Sequence, residues 1–194
     1  MKTTKIYIVA LFTSILSPAL SQTYVQGINV VPNETVFNSP VLSGAKKLTI
    51  EEAFSKLVSI NHGLNNGFST IYTSKEKISG QFYEKDNLVI QLVTRKLSDP
   101  SVDLNEIKEI TYGMYTDYLG EGENPFEADY FDELKQVNNF QTLVYYRKSS
   151  NKKNFSIISN DKKYSVQGVI HCYPNDKPKA QAFINTLLNS ITFK

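Results

Sequence analysis

Two histidines, one cysteine and a run of carboxylates are the residues of this 194-residue chain whose types could carry chemistry. His171 and Cys172 are adjacent. A Cys–His nucleophile needs thiol and imidazole to meet, and neighbours on a strand project to opposite faces, so this pair forms no dyad. His62 lies in a Gly- and Asn-rich stretch far along the chain from Cys172, and a buried cysteine is more often a small core residue than a nucleophile. Two His and one Cys lack the C-x2-C or H-x3-H spacing of a zinc site. No phosphate loop, dinucleotide fingerprint or serine elbow occurs.

The carboxylates crowd into residues 99–133, where Lys108 is the one basic residue. A glycosidase pair needs two carboxylates at a defined separation in a cleft, and crowding does not supply that. Asp117, Glu121, Glu123 and Asn124 offer oxygen ligands without the fixed Gly and terminal Glu of an EF-hand loop. The expectation is no catalytic residue, no metal and no cofactor. The plainer reading is a solvated acidic face, with Asp117, Glu121, Glu123, Glu127, Asp129, Asp132 and Glu133 as candidate partner-binding residues. From Lys135 to Lys194 only Asp161 and Asp176 are acidic, so charge is segregated along the chain. Segregation bears on long-range fields and partners rather than on fold. The lysines of the basic half fall mainly at turns, and its aromatics read as core, so no nucleic-acid partner is expected.

The elements that must position these residues follow from periodicity. Thr49–Ile60 reads as a helix with Thr49 and Glu52 as a capping box and Ile50, Ala53, Phe54, Leu57 and Val58 on one face. Strands are expected over Phe68–Thr73, Lys77–Glu84 and Asn87–Lys96; in the last, Val89, Gln91, Val93 and Arg95 face away from Leu88, Ile90 and Leu92. Asp103–Leu119 is the clearest amphipathic helix, capped by Asp103, and a short helix is expected over Glu127–Gln136. A second strand set, Phe140–Lys148, Lys153–Asn160 and Lys163–Tyr173, leads into a closing helix, Lys177–Ser190, with Pro178 in its first turn. Strand runs with helices between them predict an α+β domain over 48–194, its antiparallel sheet of about six strands packed with amphipathic helices. Residues 22–47 read as a loosely structured arm with one edge strand near Gly27–Val31.

Residues 1–21 read as a cleavable signal peptide. Lys2 and Lys5 precede the apolar stretch Ile6–Leu16, Pro18 breaks it, and Ala19 and Ser21 place small residues at −3 and −1. The formal net charge of +2 rests on those two lysines, so the processed chain is neutral. A lone cysteine forms no intrachain disulfide. The expected location is the periplasm or the exterior, with membrane contact only through the signal peptide.

The hairpin Phe140–Asn160, the strand Lys163–Tyr173 and the closing Lys179-Ala180, Phe183-Ile184, Leu187-Leu188 and Ser190-Ile191-Thr192-Phe193 resemble the Mog1/PsbP-like proteins, including DcrB-type bacterial members. The strand Asn87–Lys96 followed by the Asp103 helix is similar too, so the resemblance spans about residues 68–194. It implies a sheet-and-helix sandwich and a small accessory or binding role without catalytic residues. The leading functional expectation is an exported, non-enzymatic protein-binding module that turns the acidic 99–133 surface to a basic partner, one form being a periplasmic immunity protein. A small-ligand or lipid carrier with a pocket between sheet and helices is the alternative. A hydrolase using the carboxylates and His62 is the third.

Overall fold

A computed structural model of the chain describes residues 30–62, 78–117 and 124–194. The expected signal peptide at 1–21, the start of the arm, the strand Phe68–Thr73 and the acids Glu121 and Glu123 lie outside the described residues. No helix among the described residues is long and apolar enough to cross a membrane.

The expected α+β class and antiparallel sheet are what the structure shows, with eight strands among the described residues in place of about six. The strands are β1 (Val30–Val31), β3 (Lys46–Leu48), β4 (Gln81–Lys85), β5 (Leu88–Lys96), β6 (Tyr130–Val137), β7 (Phe140–Arg147), β8 (Lys152–Ile158) and β9 (Tyr164–His171). Their order is β3-β4-β5-β9-β8-β7-β6, every pairing is antiparallel, and β1 adds to the end of β5 through Val30 opposite Arg95. β2 (Phe37–Asn38) pairs separately with β10 (Thr192–Phe193).

Turn chemistry sets two of the hairpins. Asp86-Asn87 and Asn138-Asn139 all have positive φ, between 46° and 68°. Two successive left-handed residues make the type I′ turn, whose twist matches the flanking strands, and Asn and Asp tolerate it best. The second of these turns explains the main correction to the expected elements. Glu127–Gln136, expected as a helix, is a short helix α5 (Pro125–Asp129) followed by strand β6. Glu, Leu, Lys and Gln favour helix by local propensity. Pairing all eight residues of β6 with β7 across the Asn138-Asn139 turn overrides that weak preference.

Residues 30–47, expected within a loose arm, are ordered instead. Two short helices, α1 (Asn33–Val36) and α2 (Pro40–Ser43), flank β2. Val36, Phe37 and Leu42 are buried in the main core. Lys194 donates its backbone N–H to Val36 O at 3.0 Å, clasping the two ends of the described chain.

The longer helices are α3 (Ile50–His62), α4 (Leu104–Thr116) and α6 (Lys177–Ser190). The α3 capping box forms as expected: Glu52 N donates to Thr49 Oγ1, and Thr49 N to Glu52 Oε2. Asp103 caps α4 by accepting from Asn105 N at 3.0 Å. On one face of the sheet, α6 buries Ala180, Phe183, Ile184, Leu187 and Leu188 against β5, β9 and β8. The other face carries two separate helices over two separate clusters, α3 towards one edge and α4 towards the other.

Candidate functional site

The two faces of the central strands differ in chemistry. Beneath α6 the strands present Ile90 and Leu92, Val166, Gly168 and Ile170, and Phe155 and Ile157, all buried. The opposite face presents rows set by the register: Val89–His171–Lys152, Gln91–Val169–Asn154, Val93–Gln167–Ser156 and Arg95–Ser165–Ile158. Gln91, Val93, Gln167, Val169, Lys152 and Asn154 are half-buried there. No Asp or Glu occurs in β5, β8 or β9. An interior sheet position of this kind is ordinarily apolar, so a polar, half-open, carboxylate-free strip is the feature of the fold that packing alone does not call for.

The two helices make this strip a groove. Ala53, Leu57 and Ile60 of α3 pack on Leu48, Phe82 and Val89. Leu104 and Ile107 of α4 pack on Leu143, Tyr145 and Ile158. The Lys108–Asp132 ion pair at 3.0 Å and the Tyr112–Tyr130 ring contact turn one side of α4 to β6. At 3.6 residues per turn, Ile110 and Met114 then fall on the opposite side, towards β8 and the groove. The Tyr115 hydroxyl reaches the floor, accepting from Asn154 Nδ2 at 3.3 Å. Above it, the Arg147 guanidinium lies over the Tyr115 and Phe126 rings and donates to Tyr115 O, tying α4 and α5 to the sheet.

The end of α3 crosses to the far strands and closes one end of the groove. Asn151 Nδ2 donates to Ile60 O at 3.4 Å, and the Ser59 and Tyr173 hydroxyls stand 3.1 Å apart. His171 is fully buried at this end, its Nε2 3.3 Å from Gln91 Oε1. Burial, and then the neighbouring Lys152 charge, hold the imidazole well below its ordinary pKa. Burial pulls the Lys152 ammonium down to about 8. Gln91 is fixed in turn by donating Nε2 to Ser79 O at 2.8 Å. At the other end Arg95 is 5% exposed and donates Nη1 to Gln167 Oε1 at 2.6 Å. Its Nε has no hydrogen-bond partner.

His171 and Cys172 are separated as strand alternation requires. Cys172 is buried in the α6-side core with its thiol raised in pKa by burial, while His171 lies on the groove face. His62 is the last residue of α3.

Among the described residues, the candidate acids are not gathered into one surface. Asp117 is exposed after the end of α4. The Glu127 carboxylate accepts from the Tyr112 hydroxyl, and Asp129 from Ser149 N and Oγ. Asp132 pairs with Lys108, and Glu133 with Lys135. Because 130–137 is a strand, Asp132 and Glu133 face opposite sides of the sheet: Asp132 turns to α4, and Glu133 lies on the side where Lys135 reaches Asn185 of α6. Asn124, read with the acids as an oxygen donor, instead caps α5 and donates Nδ2 to Thr116 O.

The polar floor is only partly legible in the sequence. Its signal was present in Asn87–Lys96, where Gln91 and Arg95 interrupt an otherwise apolar face at period two. A sequence pattern says which residues share a face and leaves open whether a helix covers it.

No family model matches the chain, and no curated protein matches it. Among solved structures it is similar to the cyanobacterial PsbP (CyanoP) of Synechocystis sp. PCC 6803, with a TM-score of 0.38, 8% identity, and coverage of 59% of this chain and 74% of that one. It is also similar to LpqN, involved in cell envelope biogenesis of Mycobacterium tuberculosis, with a TM-score of 0.43, 12% identity, and coverage of 92% of this chain and 97% of that one.

Proposed function

We propose that the protein is an exported, non-enzymatic binding module that holds a ligand in the groove over β5, β9 and β8, between α3 and α4. One observation carries this reading: the central strands are sealed by α6 on one face, yet on the other they keep a polar, half-open floor. Convergent amides, hydroxyls and cations between apolar helix flanks suit recognition of a ligand with polar groups. Gln91, Gln167 and Asn154 supply both donors and acceptors. Support for export is the residue order of positions 1–21.

The test is a fragment screen read by NMR on the side-chain amides. Ligands are expected to shift the Gln91, Gln167 and Asn154 NH2 signals together, and Val169→Trp is expected to abolish those shifts by filling the floor. Hits that leave all three amides unmoved would refute the reading.

A second reading keeps the protein partner. On α4, Tyr112 and Met114 are each 41% exposed, and Glu106, Glu109 and Asp117 are exposed near them. Exposed carboxylates between an aromatic side chain on one side and a Met side chain on the other suit a basic protein surface. The double substitution Glu106→Lys with Glu109→Lys is expected to abolish any salt-sensitive association; a complex unaffected by it would exclude this face.

A further inference from the structure

We propose that Arg95 anchors an oxyanion site at its end of the groove, so that the ligand presents a carboxylate or a phosphate there. This rests on the groove being the binding site and adds the chemical class of what enters it.

The argument starts from an electrostatic imbalance. Arg95 is 95% removed from solvent by its 5% exposure. A guanidinium has five N–H donors and stays charged in proteins. A buried charge is costly unless paired with an opposite charge and hydrogen-bonded. Among the described residues, only the neutral Gln167 amide answers it, through one 2.6 Å hydrogen bond, and Nε is left without a partner. None of the three strands that form the floor carries a carboxylate. Burial already pulls the Arg95 pKa down, the direction a guanidinium takes without a counter-ion.

The surroundings are arranged for an anion rather than against one. Ser165 lies directly opposite Arg95 on β9, so the nearest cross-strand neighbour on the same face carries a hydroxyl and no negative charge. Gln167 fixes the guanidinium through Nη1 and leaves the Nε edge unused. The planar fork of arginine matches two oxygens of a carboxylate or phosphate. Its backbone is held on both sides, by β9 and by Val30 of β1, so the side chain projects from a rigid element.

The experiment follows the Arg95 Nε–Hε NMR signal of the purified protein during titration with inorganic phosphate and, separately, with acetate, at constant ionic strength. A saturating shift with either anion is expected; phosphate alone would assign a phosphate ligand, and acetate alone a carboxylate. Gln167→Glu puts a carboxylate within reach of Arg95 Nη1. It is expected to raise the melting temperature and weaken anion binding about tenfold or more, which is about 1.4 kcal/mol. Arg95→Met is expected to abolish the anion response while leaving neutral fragments bound at Gln91 and Asn154. A linear, unsaturated shift, or anion binding unchanged in Gln167→Glu, would overturn the proposal. Neutral fragments in the groove without anion saturation would remove the oxyanion site and leave the groove. Anion saturation with no fragment at the floor would keep the Arg95 site and remove the groove.

Discussion

Gly168 of β9 sits between Leu92 of β5 and Phe155 of β8 in one row of the sheet. The buried Phe155 ring lies over the place a side chain would occupy. A Cβ built on Gly168 meets Phe155 Cζ at 2.0 Å, Cε1 at 2.3 Å and Cε2 at 2.6 Å. Ordinary carbon–carbon contact is about 3.5–4.0 Å, so Gly168→Ala must displace the ring by more than about 1 Å. The ring has little room, because Phe155 is 1% exposed and α6 closes over it. Overpacking of this kind costs about 1–3 kcal/mol, occasionally more. Against it stands a gain of about 0.4–1 kcal/mol, because alanine restricts the unfolded chain. The net expectation is a loss of about 1.3 kcal/mol, read as a fall in melting temperature of about 3–5 °C for a chain of this size. The assay is urea unfolding of Gly168→Ala, Phe155→Leu and the double variant. The smaller, flexible leucine should relieve the clash, so the double variant should lose less than the sum of the two single losses. Strict additivity, or Gly168→Ala within about 0.5 kcal/mol of the parent, would refute the reasoning.

Other expectations follow from the same packing. His171 is held neutral when folded, while its unfolded pKa is near 6.5, so below that pH the unfolded chain binds a proton that the folded chain does not. Stability should therefore be fully present above pH 6.5 and fall by up to about 1.4 kcal/mol per pH unit beneath it, down to the folded pKa; His171→Gln should remove that part of the slope in denaturant titrations from pH 7 to 5. Thr49→Ala breaks the α3 capping box and should cost about 1 kcal/mol by urea unfolding. The Phe193 ring meets Phe37 and Phe140 edge-on at centroid distances of 6.2 and 5.4 Å. Phe193→Ala should cost roughly 1–2 kcal/mol, since the ring is only partly buried, and hydrogen exchange should show the β2–β10 pair opening first.

Much of this fold was legible in the residues. The α3 capping box, the Asp103 cap of α4, the closing helix with its Ala180–Leu188 stripe and the alternation of β5 are local signals, carried by residues a few positions apart. Strand periodicity also separates His171 from Cys172 without any structure. What local signals could not settle was β6. Residues 127–136 carry good helix formers, and only the eight-residue partner β7 across the Asn138-Asn139 turn makes them extended. That one exchange of period, 3.6 for 2, divides Asp132 from Glu133 and sends the acids to different partners.

The groove belongs wholly to the tertiary structure. Sequence alternation put Gln91 and Arg95 on one side of β5, and the hydrophobic patterns of 49–60 and 103–119 marked two helices that need covering. Where those helices come to rest depends on pairings between residues as distant as Val89 and His171, or Tyr130 and Arg147. Those pairings place α3 towards one edge and α4 towards the other, with the polar strip between them. Charge and composition could be counted along the chain, but burial depends on what lies above a residue. An arginine whose charge is ordinary in sequence thereby becomes, at the floor of the groove, a buried cation with no counter-ion among the described residues.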